Sequence, residues 1–148
     1  MTSTAATGTA RSLAILGAVL VLLGLLTGFV SGQLANPRMG LASHLEGLMN
    51  GTLMLALAAA WPKVRLTQRA EKWALWLLVC GSLANWLATF LAAVWGAGGE
   101  TMPLTADGHR AAEWQEGLVT VLLVSLSFAM VVAFGLILQG LIRGRSTD

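Results

Sequence analysis

The chain has 148 residues, of which 56% are hydrophobic and only 11% charged, and a mean hydropathy of +0.74. A soluble domain carries about a quarter charged residues, so this composition excludes one. The formal charge of +2 does not point to nucleic acid, because the basic residues flank apolar runs instead of forming a patch. The single cysteine, Cys80, excludes an internal disulfide and a cysteine-cluster metal site.

No Asp, Glu, Lys or Arg lies between Arg11 and Arg38, between Lys72 and Glu100, or between Glu116 and Arg143, gaps of 26 or 27 residues. About 20 apolar residues suffice to cross the hydrocarbon core. A short, small and polar tail over 1–11 precedes helix one at about 12–34. That run is longer than the roughly 7–15 apolar residues of a signal peptide, so it reads as a retained span. Gly17, Gly24, Gly28 and Gly32 form a stripe along it that lets another helix approach closely. Ala35 to Arg38 reads as a turn, since proline disfavours helix in the residue before it.

Helix two is expected over about 40–61, ending at Pro62, and is a span only if His44 and Glu46 lie within its first turns. Ionisable groups in a membrane helix are costly, which makes them functional candidates. Helix three is expected over about 70–95, closed by Gly96 to Gly99. A loop over 101–112 leads into helix four at about 114–142, and a tail over 143–148 ends the chain. The expected fold is all-α, a single domain over 12–142 forming a four-helix transmembrane bundle. Trp61, Trp73, Trp76, Trp95 and Trp114 fall at span ends, where aromatic rings favour the headgroup level; Trp86 lies mid-span. Seven basic residues (Arg11, Lys63, Arg65, Arg69, Lys72, Arg143, Arg145) lie on one side and two (Arg38, Arg110) on the other. That imbalance places both termini in the cytoplasm of a cell with a multi-pass inner membrane protein.

The densest polar cluster is Ser43 to Gly51. At about 100° per residue, His44, Gly47, Leu48 and Gly51 share one face, and Glu46 and Asn50 share another. Glycines beside His44 would let a flat group lie against the backbone. One helix cannot aim both faces at a single point, so a site using both would form between subunits. His44 reads as an interfacial hydrogen-bonding group or as a ligand. Glu46 could reach water or act in a site, and Asn50 is interhelical glue or a substrate contact. Asn85 reads first as an interhelical hydrogen bonder. Glu116, with Gln115, suits the positive end of the helix four dipole. Cys80 is expected to be buried packing, and His109 solvated.

The blocks Asn36-Pro37-Arg38-Met39-Gly40-Leu41 and His44-Leu45-Glu46-Gly47-Leu48-Met49-Asn50-Gly51-Thr52, with Ala84 to Thr89 and Trp114-Gln115-Glu116, resemble the hydroxylaminobenzene mutase family. The likeness runs from about Ser12 to Ile142. That family looks related to the styrene oxide isomerases, small membrane enzymes that use haem b without redox turnover. Their histidine ligand and the asparagine six residues later match His44 and Asn50. Their tyrosine, four residues after an asparagine in helix three, is Thr89 here, and the chain has no tyrosine. The resemblance therefore implies the mutase reaction, hydroxylaminobenzene to 2-aminophenol, and not the epoxide one. It also implies haem b with His44 as axial iron ligand and Gly47 and Gly51 beside it. Asn50, Asn85, Glu46 and Glu116 become catalytic candidates, either carboxylate serving as proton acceptor. A homo-oligomer, specifically a trimer, taking an aromatic hydroxylamine from the bilayer is implied as well. A different class, a small multidrug or proton-coupled transporter, would need an ionisable residue deep in the membrane. A haem electron carrier would need two membrane histidines, and only His44 qualifies.

Overall fold

A computed structural model describes residues 3–145, with side chains over 8–144. Among the described residues the structure is all helical. Four long helices, α1 (Ser3–Val30), α2 (Pro37–Ala60), α3 (Gln68–Trp95) and α5 (Glu113–Arg145), are joined by short connections, and a four-residue helix, α4 (Pro103–Ala106), lies in the last. Three of them, over Gly8–Gln33, Gln68–Trp95 and Glu113–Gly144, are long and apolar enough to cross a membrane. The polar-bearing α2 is not in that group.

Helix ends follow local chemistry. Pro37 occupies the first position of α2, where its missing N–H costs nothing, and Asn36 caps the helix by accepting the Met39 N–H. The proline thus starts the helix directly, three residues before the expected Gly40. Thr67 caps α3 by accepting the Ala70 N–H. Gly96, at φ 67°, ends α3 in the left-handed conformation that glycine adopts without penalty. At the other extreme, α1 already begins at Ser3, inside the segment expected as a polar tail. The C-terminal tail is helical as far as Arg145, and its last three residues lie outside the described ones.

Successive long helices run antiparallel. α1, α2 and α3 form a three-helix group, and α5 packs mainly along α3. The closest approach is between α1 and α2. A Cβ on Gly47 would lie 2.5 Å from the Gly24 Cα, and one on Gly17 would lie 2.8 Å from the Gly51 carbonyl oxygen. Only glycine permits such contact, and in lipid close packing is the main source of helix association. A core of Leu13, Leu20, Met54, Leu78 and Ile137 continues beneath it. Trp61 was expected at the headgroup level, but it is buried in that core, with its indole N–H donating to Glu71 Oε1 at 3.1 Å. Cys80 is exposed on α3, contrary to the buried packing role expected. Trp73, Trp76 and Trp114 are exposed, as are Phe29 and Phe128, leaving an apolar outer surface suited to hydrocarbon.

Candidate active site

The two faces of α2 separate as its periodicity demands. One meets α1. There the His44 Nδ1–H donates to the Gly24 carbonyl at 2.8 Å. A carbonyl oxygen can only accept, so Nδ1 carries a proton and Nε2 is the ring nitrogen that this bond leaves unused. The imidazole lies over Gly28, where any Cβ would come within 2.6 Å of Nδ1. The flat group that these glycines accommodate is therefore the imidazole itself. Gly47 and Gly51 lie farther along the same contact, filled by the backbone of α1. Both pack against the matching glycine stripe of α1.

The other face meets α3, where the carboxylate of Glu46 is the centre. Its Oε2 accepts an amide N–H from Asn85 at 2.5 Å and one from Asn50 at 2.9 Å. Asn50 Nδ2 is also 3.0 Å from the Glu46 backbone carbonyl. Glu46 Oε1 has no hydrogen-bond partner among the described residues, nor do the side-chain carbonyls of Asn50 and Asn85. A proton acceptor thus stands beside two amide oxygens that can receive N–H or O–H donors. Asn50 is buried, while Glu46 and Asn85 are half-buried, which keeps the cluster reachable. A groove of about 410 Å³ runs beside Leu48, Met49 and Thr52 on the outer side of α2.

A set of bonds that sequence reasoning missed braces α3 here. The Trp86 indole N–H donates to Thr27 Oγ1 on α1 at 3.1 Å, and Ser43 Oγ donates to the Trp86 carbonyl at 3.2 Å. Trp86 also stacks on Phe90, with ring centroids 5.4 Å apart. The Thr89 hydroxyl donates back to the Asn85 and Trp86 carbonyls. The one signal in the sequence was Trp86 itself, the tryptophan out of place in mid-span.

Glu116 does not join this cluster. It is 6% exposed, and both oxygens are taken by loop amides, Oε2 by Gly98 N–H at 2.9 Å and Oε1 by Ala111 N–H at 3.1 Å. A carboxylate in the first turn of α5 sits at the positive end of that helix and ties the preceding loop to it. Its expected role as proton acceptor gives way to that clamp. Asn36 holds the same loop from the other side, donating to the Ala106 carbonyl at 2.9 Å. His109 is exposed, as expected, with Nδ1–H donating to the Ala106 carbonyl. Among the described residues no three His, Cys, Asp or Glu side chains come together to hold a bare metal ion.

Comparison with known proteins matches the styrene oxide isomerase family over residues 9–142. The hydroxylaminobenzene mutase HabB of Ectopseudomonas oleovorans is 53% identical over 132 residues, covering 89% of this chain and 80% of that protein. HabA, a hydroxylaminobenzene mutase from the same organism, is 44% identical over 127 residues, covering 86% and 94% respectively. Both carry the name of an enzyme, which leaves the transporter reading of the polar helix without support. No solved structure matches the chain significantly.

Proposed function

Because the chain belongs to the styrene oxide isomerase family, we propose that it is a membrane isomerase that rearranges hydroxylaminobenzene to 2-aminophenol. The observation that carries this reading is the Glu46 carboxylate, held by Asn50 and Asn85 with one oxygen left free. The reaction breaks the N–O bond, forms a C–O bond at the ortho carbon, removes the proton from that carbon and adds one to nitrogen. Atoms and electrons balance without any co-reactant. Glu46 takes the ring proton on Oε1 and returns it to nitrogen, general acid–base work within reach of one carboxylate. The amide oxygens of Asn50 and Asn85 accept from the substrate N–H or O–H and orient the ring. The bilayer keeps water from capturing the electron-poor ring.

His44 is the residue that would hold a haem b, through Nε2. Its Nδ1–H is committed to a backbone carbonyl, the second-shell bond that leaves Nε2 free for a metal, and Gly28 gives the ring its place. The chemistry such a group supplies when bound is Lewis acidity toward the hydroxylamine oxygen, which improves a poor leaving group. In this reading α2 is the fourth span of an inner-membrane protein, with both termini cytoplasmic by the distribution of basic residues. A homo-oligomer, the trimer that the resemblance implies, would cover the half-buried edge of the Glu46 cluster with a neighbouring chain.

Purified protein given hydroxylaminobenzene is expected to yield 2-aminophenol as the main product without added reductant. Incorporation of oxygen from labelled water, or a mixture of ring-hydroxylated isomers, would contradict the proposal. The haem assignment predicts visible absorbance that is lost or strongly shifted in His44→Ala. A colourless wild-type preparation that turns over would remove haem and leave Glu46 and the two asparagines to act alone.

A further inference from the structure

An open groove of about 700 Å³ lies between α3 and α5, away from the residues of the Glu46 cluster. Its apolar stretch includes Leu77, Phe128, Val132 and Leu136, and its wall is small where Ala70 and Ala129 face it. At one end stand Arg69 and Trp73, and a second groove of about 260 Å³ joins Arg69 and Trp73 to Lys72 and Trp76. Arg69 and Lys72 are exposed and form no ion pair among the described residues, where the one pair is Arg38 with Asp107. Trp73 and Trp76 are about two-thirds exposed, as interfacial tryptophans are.

A long apolar furrow ending in two unpaired cations beside a pair of exposed indoles has the layout of a phospholipid. We propose that one anionic phospholipid occupies this furrow, its acyl chain along Phe128 and Val132 and its phosphate between Arg69 and Lys72. The proposal rests on the chain spanning a membrane, and it is independent of the reaction assigned to Glu46. The charge argument selects the occupant. A neutral substrate or a zwitterionic lipid gains little from two cations, whereas juxtamembrane Lys and Arg favour anionic lipids. The end bearing these cations also carries Lys63, Arg65 and Arg143 in the sequence, the side that faces the anionic inner leaflet under the positive-inside rule. The lipid would brace α5, whose main protein contact is α3.

The test places the full chain in nanodiscs of phosphatidylglycerol and phosphatidylcholine in equal amounts, extracts it gently, and counts retained lipids by native mass spectrometry. Wild type is expected to keep about one phosphatidylglycerol per chain in preference to phosphatidylcholine. The double variant Arg69→Gln/Lys72→Gln should lose that preference by on the order of 30-fold, about fivefold for each cation removed. Ser125→Phe, which fills the groove without touching charge, should lower the retained count of both lipids. Neither change should alter turnover, since these residues lie outside the site. Equal retention of the two lipids by wild type would overturn the proposal. So would a change in the number of chains per particle in either variant, which would make the groove a contact between copies.

Discussion

The two faces of α2 show how one helix separates assembly from chemistry. Toward α1 it presents Gly47, Gly51 and an imidazole lying on Gly28, so the backbones nearly touch and nothing polar remains except Nε2. Toward α3 it presents Glu46 and Asn50, which with Asn85 form a cluster whose free acceptors are not used by the fold. The first face is closed by backbone contact at Gly47 and Gly51 and keeps only the His44 Nε2 unused, whereas the second keeps several acceptors open. Hydrogen bonds a fold leaves unmade are the ones a substrate can make.

The comparison can be broken most severely on the glycine face. Gly47→Leu drives a side chain into the Gly24 backbone, where not even a Cβ fits. The cost should be about 3 kcal/mol or more, read as loss of monodisperse protein on gel filtration and a collapsed melting temperature. A variant that melts like wild type would show that α1 and α2 can part freely. On the polar face, Asn85→Leu removes a donor from a charged acceptor, worth roughly 1.5–3 kcal/mol. The expected fall in kcat is about ten- to a hundredfold in a protein that still folds, with a melting temperature lowered by several degrees. A lowered melting temperature with kcat unchanged would reduce Asn85 to interhelical glue. The smallest effect belongs to Trp86→Phe, which keeps the ring stacked on Phe90 but removes the indole N–H from Thr27. One neutral hydrogen bond, about 1 kcal/mol, should appear as a modest shift in unfolding with activity nearly intact.

Much of this was legible in the sequence, for identifiable reasons. Long charge-free gaps defined α1, α3 and α5 because burial in hydrocarbon tolerates almost no charge. The α2 faces followed from helical periodicity alone. What periodicity cannot show is which neighbour each face meets. His44, Gly47 and Gly51 read as one face, and only the structure shows that the stripe of Gly17, Gly24 and Gly28 on α1 is what meets it. Asn85 and Glu46 are 39 residues apart, and no local signal joins them. Pro37 read as part of a turn, whereas it occupies the first position of α2. The helix-dipole role suggested for Glu116 was legible, but the two loop amides that its carboxylate holds were not.

The most direct test of the central assignment is steady-state turnover of hydroxylaminobenzene by Glu46→Gln, with wild-type melting temperature and absorbance as controls for an intact protein. Glutamine keeps an oxygen for the Asn50 and Asn85 amides but cannot relay the ring proton. The account predicts a kcat lower by about 10² to 10⁴ in a protein that still folds. A Glu46→Gln variant turning over at the wild-type rate would contradict it.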